Sequence, residues 1–351
     1  MSLITDIHAP LKPVVLMDVT KPNRSTGIVG GETSGLLNLN DMAYPQMFEL
    51  QETLLANFWK PSDINMQDDI KKWDTLLESE QIAFLRANTA LAGLDSLQTP
   101  TMVNVMNVLS DSVFRLITAI IAQQEGVHTV SYSYVLSSLV ELIKQNKAFD
   151  DIKKDPIITK RNKFILDVYQ EFLDHPSVYN LYRLLVQSIN LEGIYFYAGF
   201  AFFYYLASKQ KMMKTATMIS YIQKDEMQHA WYVAQVIRIL LDTVPELNTQ
   251  ANLDYARDSI CEAVELEKEW AADLLKDIDV DINEFNDYIE YLGNKRVRQI
   301  GLSNIYPERN NVMPWISVYD DSMISNTKTD QFENTSRNYT MVNSDNGFDE
   351  L

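Results

Sequence analysis

Thiol chemistry is nearly absent from this chain. Cys261 is the only cysteine among 351 residues, which excludes an internal disulfide or a pair of redox thiols and favours an intracellular, cytoplasmic setting. Basic charge is also scarce: 30 Lys and Arg stand against 48 Asp and Glu, a formal net charge of −18. That balance argues against nucleic acid or an anionic membrane as partner, though not against another protein. No apolar run is long enough to span a bilayer. The longest, Ile194 to Leu206, covers about thirteen residues where roughly twenty are needed. Asn190 and Glu192 stand just before it, so it reads as a buried core helix. A secretory signal is not expected, because no positive region precedes an apolar core at the N-terminus. The glycine-rich run Gly27-Ile28-Val29-Gly30-Gly31 lacks the following Lys-Ser/Thr of a phosphate loop. Strand-like alternation and internal repeats are missing too.

What remains is helical periodicity. Hydrophobic residues make up 46% and charged residues 22%, ordinary for a globular protein, and the length permits one or two domains with a large core. A first helix is expected from Pro45 to Phe58, stopping before Trp59-Lys60-Pro61. The next is expected to start at an N-cap Ser79 and to be kinked or ended by Pro100. Another runs from Ser110 or Asp111 past Leu139. A polar break from Gln145 to Asp155 then precedes a helix to Asp174, and His175-Pro176-Ser177 forms a turn. Further helices are expected to Ala207 and over Met213–Leu241, Gln250–Leu275 and Ile282–Leu302. Residues 1–43 lack periodicity and read as an extended N-terminal arm, on the surface or on another subunit. Residues 303–351 read as a flexible C-terminal tail rich in Asn, Ser, Thr and Asp.

The core-facing stripes of four of these helices carry charge. Ile117, Ile121, Glu125, His128, Tyr132, Leu136 and Leu139 fall at steps of three and four, on one helix face. Ile219, Ile222, Glu226, His229, Val233 and Val236 form a second such stripe. Glu192 sits among Leu185, Ile189, Phe196 and Phe200, and Asp95 shares a face with Phe84 and Leu91. An unpaired carboxylate on such a face is costly and needs a partner or a metal. One Glu-x-x-His is a weak signal; two on different core helices, with two further inward carboxylates, match the dinuclear pattern of ferritin-like carboxylate proteins. Asp95 departs from that pattern, which offers Glu. The expected fold is all-α, a ferritin-like four-helix bundle core with additional helices.

In order along the chain, these segments resemble the small, radical-generating subunit of class I ribonucleotide reductase, in a class Ib-like or phage or bacterial form. Leu94-Asp95-Ser96-Leu97-Gln98, Glu125-x-x-His128-x-x-x-Tyr132-Ser133, Leu191-Glu192-Gly193 and Asp225-Glu226-x-x-His229 resemble its ligand segments. Asn57-Phe58-Trp59-x-Pro61 resembles the segment bearing a radical-transfer tryptophan, and Tyr291-Leu292-Gly293-Asn294-Lys295-Arg296 its last bundle helix. Residues 45–302 are covered. The resemblance implies Asp95, Glu125, His128, Glu192, Glu226 and His229 as ligands of two Fe or two Mn ions, and Tyr132 as the site of a stable radical. It implies Asp225 as the link from His128 to Trp59, Tyr339 as the last relay residue, and Asn346 to Leu351 as the segment docking on the large catalytic subunit. Phe196, Phe200 and Ile222 fit an apolar wall around the radical. A ferritin-like domain over residues 44–302, a homodimer, a flavodoxin-like activator and a ribonucleoside-diphosphate reductase activity supporting DNA replication are further implications. Gln123, Gln124 and a mid-helix Gly126 depart from the commonest members. Two other readings stay open on the residues alone. One is another oxygen-activating dinuclear oxidase or desaturase, against which Asp95 speaks. The other is a metal-storage or binding protein, in which the Trp59 segment would have no purpose.

Overall fold

The computed structural model describes residues 4, 6–309, 312, 313 and 316. Single helical turns at Pro45–Met47 and Pro61–Asp63 flank α1 (Phe48–Ala56), and α2 (Gln67–Trp73) follows. The long α3 (Glu78–Val108) and α4 (Ser112–Leu139) come next, then α5 (Leu142–Lys154), α6 (Pro156–Asp174) and α7 (Val178–Asn190). A π-helical turn at Leu191–Tyr195 joins α7 to α8 (Tyr197–Ser208). The chain ends its helical part with α9 (Met213–Thr243), α10 (Gln250–Leu274) and α11 (Ile282–Gln299). Among the described residues, extended pairing is limited to isolated bridges of Pro10 with Ser177 and Val29 with Leu109. No helix among them is long and apolar enough to cross a membrane.

Helix starts are set by side-chain caps where the sequence supplies them. Asp111 accepts from the N–H groups of Val113 and Phe114 at 3.0 and 3.4 Å. Asp155 does the same for Ile157 and Ile158, with Pro156 pre-set at the first helical position. Ser177 accepts from Asn180 at 3.1 Å. Only three residues separate α3 from α4, so the two must run antiparallel side by side; α9 packs on α4, α7 and α8 to complete the bundle. Residues 6–44 cross the helix ends: Val14 N–H bonds the carbonyl of Asn107, Leu11 N–H that of Pro176, and Ser110 N–H that of Ile28.

Three local expectations are corrected, and that at Pro100 is narrowed. The polar stretch from Gln145 to Asp155 is not a break but most of α5. Its charges are solvated partners such as Lys147 with Asp151 and Lys153 with Asp150, while Gln145, Ala148, Phe149 and Ile152 form a narrow inward stripe. Pro100 does not end α3. It and Ser96, whose carbonyl loses its partner, both lie on the exposed face where water can serve it, while the opposite face stays packed. Ser79 is not the cap of α3, because the helix begins at Glu78, two residues earlier than that cap would allow, and the Glu80 carboxylate accepts the Leu77 N–H at 2.9 Å. The helix carrying Glu192 is not regular: the π turn interrupts it at the carboxylate.

A buried ion pair ties α6 to α10 beside the π turn. Arg161 of α6 donates to Glu267 of α10 at 2.7 Å, both side chains wholly buried, and its guanidinium lies over the rings of Trp270 and Tyr195 at 4.3 and 5.1 Å. Burial pushes the Glu267 carboxyl up to about 7 against the pull of Arg161. Removing one partner leaves the other buried and uncompensated, so Arg161→Met should cost about 3–5 kcal/mol in denaturant unfolding. Adding Glu267→Leu should recover a large part of that loss. A double variant as unstable as Arg161→Met would show that shape and ring stacking, not the stranded charge, set the cost.

Candidate metal centre

Each long helix of the bundle contributes to one point in its interior. Asp95 comes from α3, Glu125 and His128 from α4, Glu192 from the π turn, and Glu226 and His229 from α9. All six side chains have no solvent exposure. Glu-x-x-His works locally because residues three apart on a helix are neighbours on the same face. Asp95, Glu125, His128 and Glu226 offer ligand atoms lying within 4.8 Å of one another, and so do Glu125, Glu192, Glu226 and His229. The two sets share Glu125 and Glu226. Two ions held there would each have one imidazole, with the two shared carboxylates within reach of both.

Only part of the cluster satisfies itself: His229 Nδ1 meets Glu192 Oε2 at 3.3 Å and Glu226 Oε2 at 3.1 Å in hydrogen-bond geometry. His128 Nδ1 lies 2.8 Å from Glu226 Oε1 and His229 Nδ1 2.9 Å from Glu125 Oε1, yet neither contact from His128 to Glu226 nor either oxygen of Glu125 has hydrogen-bond geometry. Both oxygens of Asp95 lack a partner as well. Buried carboxylate oxygens are normally paired. Orphaned oxygens pointing at a common centre, with one imidazole nitrogen from each side, fit a pair of hard divalent cations such as iron or manganese.

The groups perturb one another in a consistent way. Burial, then the charge of Glu125, raises Asp95 well above the usual carboxylate range. Burial and the charge of Glu192 push Glu125 up to about 7, and burial with Glu125 raises Glu226 well above its ordinary value. For both histidines burial opposes the charged form. The hydrogen bond from Asp225 and the charges of Glu125 and Asp95 outweigh it at His128, and Glu192, Glu125 and Glu226 outweigh it at His229. Glu192 moves the other way: burial is overcome by hydrogen bonds and charge from Glu226, His229 and Gln98.

Around the six lies a set of supporting contacts. Asp225 Oδ2 accepts the Trp59 indole N–H at 2.9 Å and lies 3.2 Å from His128 Nε2. Trp59 and His128 are stacked with ring centroids 6.2 Å apart. Gln124 joins the same group, its Oε1 3.0 Å from His229 Nε2 and its Nε2 3.3 Å from Asp225 Oδ1. Gln98 donates to Glu192 and to Ser188 Oγ, and accepts from the Tyr169 hydroxyl at 2.7 Å. Tyr132 is buried, its hydroxyl has no hydrogen-bond partner, and burial with the charge of Asp95 raises the phenol well above its usual range. Phe196, Phe200 and Ile222 are buried in the same core. Tyr339 and Asn346 to Leu351 lie outside the described residues.

Sequence reasoning missed Gln98, Tyr169 and Gln124 as parts of the centre. Gln98 was within reach, since it falls three residues after Asp95 on the same face. Gln124 stands four residues before His128, also on that face, but was noted only as unusual. The π turn had no signal in the apolar spacing.

Raised carboxyl groups mean that protons stabilise the folded, metal-stripped protein. That contribution is full below about 4.5 and lost as pH climbs through about 7. The raised histidines act in the same direction above about 6.5, whereas the lowered Glu192 matters only as pH falls through the carboxylate range. The melting temperature of chelated protein should therefore drop by at least about 3 °C between about pH 6 and pH 8. With Mn(II) or Fe(II) present the trend should vanish or reverse, because ligands bind deprotonated. A rise across that window in chelator would contradict the assigned electrostatics.

Comparison with known proteins finds relatives in sequence and in fold. The family model described as "Ribonucleotide reductase, small chain" matches residues 36–314. The ribonucleoside-diphosphate reductase subunit beta of Halalkalibacterium halodurans is 41% identical over 339 residues, 96% of this chain and 98% of that protein. The corresponding subunit of Treponema pallidum is 36% identical over 318 residues, 89% of this chain and 90% of its own. Among solved structures, the ribonucleotide reductase R2 subunit from Clostridium botulinum matches with a TM-score of 0.85 at 30% identity, over 88% of this chain and 99% of that one. On family model, relatives and fold alike, the chain belongs to the small-chain family of ribonucleotide reductases.

Proposed function

We propose that this chain is the radical-generating beta subunit of a ribonucleoside-diphosphate reductase, and that it delivers an oxidising equivalent from a buried dinuclear centre to a large catalytic subunit. The observation that carries this reading is the unbroken contact from His128 through Asp225 to Trp59. A site that oxidised a small substrate in place would have no need of it. Asp95 and His128 would hold one ion, Glu192 and His229 the other, with Glu125 and Glu226 between them. Iron or manganese bound there would supply a one-electron oxidant of the Tyr132 phenol.

The chain's own residues then divide the work. Complete burial of Tyr132 keeps water and reductants from its oxidised form. With no hydrogen-bond partner on its hydroxyl, no fixed acceptor holds the phenol proton. Asp225 keeps the indole N–H of Trp59 and the outer nitrogen of His128 on one carboxylate oxygen, so electron loss from the indole can be matched by movement of its proton onto Oδ2. Trp59 is almost fully buried, while Phe58 beside it is 54% exposed, so the route approaches the surface at this point. Ribonucleotides are too large and charged for the closed core, which supports a separate subunit holding the substrate. The arm over residues 1–43, the metal domain over 44–302 and a tail over 303–351 complete the proposed organisation, with Tyr339 as tail relay. We further propose a homodimer in the cytoplasm, with a flavodoxin-like protein as activator.

Reconstituted protein should show a tyrosyl resonance that Tyr132→Phe abolishes while metal content is kept. The same resonance persisting in the Phe variant would move the radical elsewhere. Deleting residues after Asp330 should leave metals and radical intact and abolish nucleotide reduction with the large subunit. Full turnover by the truncated chain would overturn the tail's role.

A further inference from the structure

The π turn that carries Glu192 is held by charged side chains from outside its own helix. Breaking a regular helix disturbs the i to i+4 ladder and leaves backbone groups to be met by other donors and acceptors. Here the carbonyl of Gly193, inside the turn, accepts from Nε of Arg296 at 3.1 Å. On the far side, the N–H of Ala198 in the first turn of α8 meets the carboxylate of Glu267 at 3.3 Å, the same carboxylate fixed by Arg161. A cation thus serves the carbonyl and an anion serves the N–H.

Arg296 is built into this position. It comes from α11, is fully buried, and sends its second donor to the Tyr197 hydroxyl at 3.1 Å and its third to Gln299 at 2.9 Å. Its guanidinium also lies over the Tyr197 ring at 5.5 Å. Gly193 permits the approach, because a Cβ there would stand 2.3 Å from Arg296 Nε. A planar, permanently charged fork that reaches a backbone carbonyl and a hydroxyl at once is not replaceable by lysine.

We propose that Arg296 is a positioning residue for Glu192: by fixing the Gly193 carbonyl it sets the π turn, and the turn sets where the Glu192 carboxylate stands relative to His229 and Glu226. Only one of the two ion positions depends on Glu192, so the clamp acts on that position and leaves the other alone. This rests on reading Glu192 as a metal-binding carboxylate. Groups that orient a ligand from behind are commonly worth about 10–100-fold in metal affinity.

The test is titration of metal-stripped full-length protein with Mn(II), following the free-ion paramagnetic resonance signal, on wild type, Arg296→Lys and Gly193→Ala. Circular dichroism checks the fold. Wild type should take up two ions. In each variant one ion should bind about 10–100-fold more weakly, with the other within about 3-fold of wild type. Two ions bound with wild-type affinities by a folded variant would overturn the clamp and leave the metal centre standing. Loss of fold in both variants would also overturn it, since Arg296 would then be a folding residue. Wild type that takes up no ion would instead defeat the metal reading itself.

Discussion

Mutual repulsion among buried carboxylates is the constraint on which the rest of this structure depends. Asp95, Glu125, Glu192 and Glu226 are brought together at zero exposure, where charge is expensive and each carboxylate raises the proton affinity of the next. Two imidazoles cannot neutralise four such groups. The cluster therefore either holds protons or holds cations, and both oxygens of Asp95 and of Glu125 are left without a hydrogen-bond partner. Four long helices are needed because no single helix can present so many ligands to one centre. The remaining helices cover the outside of a bundle whose interior is polar at its middle.

Supporting contacts link that centre to Trp59. Asp225 is the junction. One of its oxygens serves Trp59 and His128, and the other meets Gln124, which reaches His229. Both histidines are thus tied to one carboxylate, and the tryptophan shares it. Glu192 is served from the opposite side by Gln98, whose amide orientation is fixed by the Tyr169 hydroxyl. These polar links lie in a core otherwise filled by aromatic rings, where fully satisfied hydrogen bonds define a single geometry.

Much of this was legible because metal chemistry overrides apolar periodicity in a visible way. Glu125, His128, Glu226 and His229 stand where Leu or Ile belong, and the two copies make the pattern hard to reach by chance. The all-α fold followed from spacing alone. Other features left weaker traces. The π turn at Leu191–Tyr195 packs against α7, α9, α10 and α11, and no local sequence rule encodes it. The α5 stripe is only four residues wide among many charges, so its polarity hid a helix. Pro100 was read by its intrinsic preference, but exposure of the freed carbonyl let tertiary packing prevail. Gln124 was visible as an oddity beside Glu125, and only the three-dimensional neighbours of its amide reveal what it touches.

Anomalous X-ray diffraction from crystals grown with Mn(II) or Fe(II) addresses the central claim most directly. The account predicts two peaks about 3.5–4 Å apart. One should fall among Asp95, His128, Glu125 and Glu226, and the other among Glu192, His229, Glu125 and Glu226. A single peak, or any of the four carboxylates turned away from both ions, would contradict it.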